Sequence, residues 1–208
     1  MDHVEQPGFA DSPKKFVRQP IQPLISNSVP RFNFFPLLPV LAVLLLSNCS
    51  SGHTGIASKS KPKGNYQYQF VYGRSVILRG RVAVAPQSAP DAVKRAVAAG
   101  NRLQGKPYIY GGGHRNLENA PGYDCSSTTS YMLNHAGLMT GTTTSGSFMT
   151  YGKPGPGKWI TIYAKRGHVF STIGGLRLDT GYGGGDGPRW HTSPRPAKGF
   201  VMRHPPGL

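Results

Sequence analysis

The stretch HVFSTIGGLRLDT, residues 168–180, constrains the fold more than any other part of the chain. Gly174-Gly175 is a hairpin signal, because the favoured two-residue turn needs positive φ at both central positions. With Ile173 and Leu176 flanking that turn, pairing sets Phe170 opposite Asp179 and His168 opposite Gly181. Alternation then sends Val169, Ile173, Leu176 and Leu178 to one face, toward a core. His168 and Asp179 fall together on the other face as diagonal neighbours, roughly 7–8 Å apart at the backbone and within side-chain reach. A carboxylate beside an imidazole fixes its tautomer and stabilises its cation, which a thiol nucleophile requires of its base. A surface His–Asp pair without chemistry is the bland alternative. A cysteine in the right place decides between them.

Two cysteines are present, in different settings. Cys125 follows Asp124 and leads into SSTTSYMLNHAG; Asp124 is a good N-cap and Gly137 a good stop, so Cys125 falls in the first turn of a helix. A helix N-terminus favours negative charge through its dipole and free N–H groups, which suits a thiolate and a developing oxyanion. Cys49 follows an apolar run instead. No paired zinc-ligand spacing occurs, and His114, His168, His191 and His204 are too scattered to read as a metal cluster, so neither metal nor cofactor is expected.

Around these motifs, 28 Gly and 19 Pro argue for turns and loops rather than a helical bundle. Tyr66, Tyr68, Phe70 and Tyr72 alternate strictly and predict a strand with one aromatic face. VILRGRVAV at 76–84 reads as further strand. Pro90-Asp91 opens a helix on Ala92, Val93, Ala96, Val97 and Leu103, which Gly105 ends. KPYIYGGG at 106–113 reads as an extended segment entering a glycine loop; it is no phosphate loop, since no Gly-Lys-Ser/Thr follows.

The formal net charge is +16, and from Cys49 onward 20 basic residues face 5 acidic ones. Such a surface suits anionic envelope polymers or lipid head groups. Nucleic acid is set aside because residues 32–46, FNFFPLLPVLAVLLL, read as the apolar part of an export signal. That run is shorter than the about 20 residues a membrane-spanning helix needs, and Pro36 and Pro39 interrupt it. Leu46-Ser47-Asn48-Cys49-Ser50 resembles a bacterial lipobox, with Asn48 departing from the usual small residue, and implies lipidation of Cys49. Residues 1–49 are therefore expected to be an N-terminal extension and lipoprotein signal, with a start near Val29 as a further expectation. Residues 50–65 are expected to be a flexible linker, and 66–208 the folded domain, its centre at about 90–182.

Together these segments resemble the NlpC-type peptidoglycan endopeptidases, papain-like cysteine peptidases of the bacterial cell wall. The family's Pro-Tyr-x-Trp-Gly-Gly is similar to Pro107-Tyr108-Ile109-Tyr110-Gly111-Gly112, and its Asp-Cys-Ser-Gly to Asp124-Cys125-Ser126-Ser127. Its histidine strand is similar to Gly167-His168-Val169, and the third polar residue, often His, falls on Asp179. Two departures stand out: Ser127 for the family's Gly, and Gly157-Lys158-Trp159-Ile160 for a Pro-Gly-Asp-Leu element.

The resemblance implies an α+β papain-like domain with the nucleophile helix packed on an antiparallel sheet. It implies Cys125 as nucleophile, His168 as base and Asp179 as orienter. Tyr108 would hold the oxyanion or substrate, and Asp124 and Ser126 would receive a free amino group of the stem peptide. The expected activity is cleavage of an amide in peptidoglycan stem peptides by a monomeric, exported, lipid-anchored protein of the cell envelope. The alternatives are a catalytically silent envelope-anchored binding lipoprotein, or an acyltransferase or amidase on the same fold.

Overall fold

The computed structural model describes residues 62, 64–182 and 186–208. The chain divides into two units, Met1–Ser51 and Gly52–Leu208, and all the described residues belong to the second. The export signal, the lipobox at Cys49 and nearly all of the linker lie outside the described residues. Among the described residues no helix is long and apolar enough to cross a membrane.

In chain order the elements are β1 (Asn65–Tyr66), β2 (Ile77–Arg79), β3 (Val82–Val84), α1 (Asp91–Arg102) and α2 (Cys125–Ala136). A 3-10 turn (Ser147–Thr150) follows, then β4 (Lys153–Pro154), β5 (Ile160–Lys165), β6 (His168–Ile173) and β7 (Leu176–Asp179). The chain closes with β8 (Arg189–His191), β9 (Arg195–Pro196) and β10 (Val201–His204). The architecture is mixed α and β, built on an antiparallel sheet of order β4-β10-β5-β6-β7-β8.

The β6–β7 hairpin forms at Gly174-Gly175, whose φ values of 49° and 79° give the turn its hand. Ile173 pairs with Leu176, Thr172 with Arg177 and Ser171 with Leu178; the same register continued sets Phe170 opposite Asp179. Val169, Ile173, Leu176 and Leu178 enter the main core, with Met132 and Leu133 of α2 and Val93, Ala96 and Val97 of α1. The other face is covered too. Tyr163 stacks on Phe170 at 4.6 Å, and Tyr66, Ala197 and Phe200 close over them. Both faces of the central strands are therefore dry.

α1 is held to the sheet through an interior glycine. A side chain at Gly100 would overlap the Trp190 ring, so this position accepts glycine's helix penalty in order to seat a tryptophan. Asn101 beside it accepts from Trp190 Nε1 at 2.9 Å and exchanges two 2.9 Å hydrogen bonds with the backbone of Ala83 in β3.

Two expectations need correction. The aromatic alternation over 66–72 does not make one strand: only Asn65–Tyr66 pairs, with Pro196 and Arg195. Tyr66 and Tyr68 turn inward and donate hydrogen bonds to the carbonyls of Gly175 and Val76, whereas Phe70 and Tyr72 stay exposed. The partner strand carries Pro196 between few residues able to donate, so the ladder cannot lengthen. Residues 76–84 are likewise two short strands around a turn at Gly80-Arg81, paired as a hairpin.

Candidate active site

α2 begins at Cys125 because Asp124 caps it. Asp124 Oδ1 accepts from Ser127 N at 2.7 Å, and Ser127 Oγ accepts from Asp124 N at 2.9 Å, a reciprocal capping box. The helix ends at Gly137 in a left-handed conformation. Cys125 is a free thiol, largely buried, at the N-terminal end of the helix. Thr129 one turn later donates to the Cys125 carbonyl at 3.1 Å and contacts Ser171 Oγ of β6 at 3.5 Å, which ties the turn holding Cys125 to the histidine strand.

Ser127, the departure from the family's glycine, is wholly buried. Room for it comes from across the interface: a side chain at Gly113 would lie 2.8 Å from Ser127 Cβ, and Gly113 has a φ of +81°. The added bulk is thus met by a glycine opposite, and the hydroxyl completes the cap. Ser127→Gly is expected to destabilise the fold by about 1 kcal/mol, through loss of the cap and gain of chain entropy. Urea unfolding measures it; an unchanged midpoint would show that the hydroxyl contributes nothing to the cap.

His168 opens β6 directly after the Gly167 turn, where the strand end leaves its ring accessible. Its Nε2 lies 2.9 Å from Asp179 Oδ1, at the end of the neighbouring strand. That oxygen also accepts from Thr180 N at 2.8 Å. Asp179 Oδ2 is ion-paired to Arg177 and lies 3.1 Å from Arg195 Nε. The Arg195 contact is close but not aligned as a hydrogen bond. With Nε2 held by Asp179, Nδ1 is the ring nitrogen left for the thiol. Burial by itself pushes the imidazole down, but hydrogen bonds to Asp179 and Cys125 and the charges of both raise it above the ordinary histidine value.

The structure thus brings Cys125, His168 and Asp179 together, with Asp179 buried rather than part of a surface pair. Tyr108 joins them: burial first, then the charges of Cys125 and Asp124, raise its phenol. Asp124 and Ser126 stand next to the thiol with their polar atoms engaged inside the protein. Ser126 Oγ donates to Asp124 Oδ1 at 2.9 Å, and Asp124 Oδ2 lies 3.2 Å from Gly111 N. Burial pushes the Asp124 carboxyl up, but the Ser127 amide, the Ser126 hydroxyl and His114 outweigh it and hold it below its usual range.

Sequence reasoning missed three of these neighbours. His114 Nε2 lies 3.2 Å from both Asp124 oxygens and 3.1 Å from Ser126 Oγ. Arg177 and Arg195 flank Asp179. Arg177 sits at the polar position of an apolar alternation, so the sequence carries no signal that it is buried. A cavity of about 380 Å³ opens beside His168, lined by Tyr108, Thr180, Gly181, Asp186 and Arg195. A larger hollow of about 680 Å³, walled by Phe70, Tyr72, Ile77 and Val84, has no acid or base beyond one tyrosine and carries no comparable chemistry. No group of residues suited to a metal ion occurs among the described residues.

No family model and no curated protein matches the chain. The site's own geometry therefore carries the functional argument.

Proposed function

We propose that this protein is a cell-wall hydrolase of the papain-like, NlpC type, cleaving an amide bond in peptidoglycan stem peptides through Cys125, His168 and Asp179. One observation supports the reading: a histidine bonded through Nε2 to a buried carboxylate also interacts with a thiol at a helix N-terminus. That is the division of labour thiol catalysis requires.

His168 Nδ1 takes the thiol proton, and Cys125 Sγ attacks the amide carbon. The Cys125 backbone N–H at the start of α2 and the Tyr108 hydroxyl would donate to the developing oxyanion. Collapse of the tetrahedral intermediate breaks the C–N bond, and His168 returns the proton to the leaving amine. A thioacyl-enzyme remains. Water, giving its proton to His168, hydrolyses it and restores the thiol. The peptidoglycan substrate rests on the resemblance around Tyr108, Asp124-Cys125-Ser126 and Gly167-His168. Export and lipid anchoring rest on residues 32–46 and Cys49, and the net charge of +16 would retain the protein on an anionic envelope.

One feature favours the silent binding protein instead. Arg177 and Arg195 share the Asp179 carboxylate, so less of its charge acts on His168. Digestion of purified peptidoglycan fragments by the full chain, beside the full-length Cys125→Ala protein and with products read by mass spectrometry, separates the two. New peptide termini that vanish in the variant establish the hydrolase and name the bond. Folded protein that yields no new termini supports the silent reading.

A further inference from the structure

Nine large hydrophobic side chains are exposed among the described residues, and they fall into two groups. Four stand at the candidate active site: Tyr108, which lines its cavity, the two residues after it, and Tyr182 against Arg195. The other five are Phe70, Val71, Tyr72, Val82 and Val84. Phe70, Tyr72 and Val84 wall the hollow of about 680 Å³. Alternation in the β2–β3 hairpin turns Ile77, Arg79, Val82 and Val84 outward together, while Ala83 packs in the core. Tyr72 is 91% exposed and Phe70 62%, and a contiguous apolar patch of this kind marks a surface that meets something.

The charge around the patch has one sign. No Asp or Glu occurs between Asp11 and Asp91, whereas Lys59, Lys61, Lys63, Arg74, Arg79 and Arg81 do. Arg74, Arg79 and Arg81 are exposed. An apolar tip rimmed by cations complements an anionic bilayer, where aromatic rings sit at the head-group level and each Lys or Arg adds attraction. A sugar chain is a poorer match. The two serine hydroxyls of the hollow, Ser75 and Ser88, are spent on the carbonyls of Gln69 and Gly73 at 3.3 and 2.6 Å.

The patch and the catalytic residues lie at opposite ends of β6. Val76 N donates to Gly174 O at 2.9 Å, which fixes the segment after Tyr72 to the β6–β7 turn. His168 opens β6 at its other end, about 17 Å away along the strand. Fifteen residues separate Cys49 from Asn65, a length of at most about 50 Å. A lipid on Cys49 would therefore keep the patch within reach of a bilayer.

We infer that Phe70, Tyr72 and the outer face of the β2–β3 hairpin enter the head-group region of an anionic bilayer, so that the domain docks with Cys125 and His168 turned away from the membrane. A single acyl chain gives only marginal, reversible membrane binding, and a cationic apolar patch supplies the second contact that makes it stable. The inference rests on the lipid-anchored part of the proposed function for its setting, and on none of the hydrolase chemistry.

The test places one reporter at the patch and one at the active site, in full-length Tyr72→Trp and Tyr110→Trp proteins. Both positions are at least 90% exposed, and Trp159 and Trp190 are buried and give the same background in each. The proteins are reconstituted with vesicles of phosphatidylethanolamine and phosphatidylglycerol whose acyl chains carry bromine near the head groups. Tyr72→Trp emission is expected to shift to the blue and be quenched, while that of Tyr110→Trp stays unchanged. Adding Arg79→Gln and Arg81→Gln to Tyr72→Trp should lower the ratio of docked to free domain about tenfold or more.

Vesicle-bound protein with no quenching at either position overturns the inference, and so does equal quenching at both. A blue shift of Tyr72→Trp on purified peptidoglycan but not on lipid overturns it in favour of a wall polymer. A shift that follows protein concentration without lipid overturns it in favour of a second copy of the chain. Peptidoglycan cleavage by a protein that fails the quenching test leaves the hydrolase standing; quenching without cleavage leaves the docking standing. Cys49 found without lipid in cells would strike the anchoring reading, and the quenching would still decide the patch.

Discussion

Asp179→Ala is expected to cost about 3–5 kcal/mol of folding stability, the range for stripping one partner from a buried ion pair. The reason lies in what remains. Arg177 is fully buried and Arg195 nearly so, and both lean on the Asp179 carboxylate. Without it two like charges face each other at low dielectric, and the neighbouring buried His191 supplies no negative charge to replace it. Replacing a buried pair wholesale by apolar groups is often harmless; breaking it from one side is not. Asp179→Asn keeps an acceptor for His168 but still leaves the charges, so it should lose most of the same stability. Urea unfolding of the three proteins checks this. A loss below about 1 kcal/mol for Asp179→Ala would show that water or rearrangement compensates the arginines.

For catalysis the larger effect belongs to His168. On the proposed mechanism, His168→Ala should lower kcat/KM by about 10²–10⁴-fold, the usual contribution of a positioned acid–base group. Its fold should persist, because the ring sits at a strand end. His168 also predicts a pH signature in stability. Its folded value is raised above the ordinary 6.5, since Asp179 and Cys125 outweigh the burial that opposes them. A raised value means that the folded state holds the proton more tightly than the unfolded one. The stabilisation is therefore complete below pH 6.5 and is lost as pH climbs through the raised value. The stability difference between wild type and His168→Gln should shrink across that window. A difference that grows with pH would reverse the sign and place the favourable form of His168 as neutral.

The parts of this molecule that could be read from sequence are those whose causes are local. Gly174-Gly175 sets the β6–β7 register because turn geometry is decided within four residues. Asp124 and Gly137 bound α2 because capping is equally short-ranged. From these two elements follow the antiparallel sheet, the helix-start position of Cys125 and the shared face of His168 and Asp179. What could not be read is set by distant chain. Tyr66 to Tyr72 alternate like a strand, yet a strand needs a partner, and the segment offered by the tail holds two prolines, Pro194 and Pro196, that cannot donate. Arg177 occupies the position an exposed side chain would take, but β8, Ser193 and Tyr182, all later in the chain, pack around it. Its burial is a property of the tail, not of its own neighbours. His114 reaches Asp124 because the glycine run folds back, a path no spacing rule predicts.

The last strand of the sheet is also one of its inner ones. β10 lies between β4 and β5, bonded to both through Arg203 and its neighbours. Chain order and sheet order therefore disagree, and this has a temporal meaning. During synthesis, Cys125, His168 and Asp179 leave the ribosome while β4 has no neighbour and Asp179 lacks one of its two arginines. The sheet closes only once residues 201–204 have emerged. Pairings of such long sequence separation form slowly. A half-made chain thus carries Cys125, His168 and Asp179 without the completed sheet, and on the proposed mechanism their chemistry is deferred until residues 201–204 have been made.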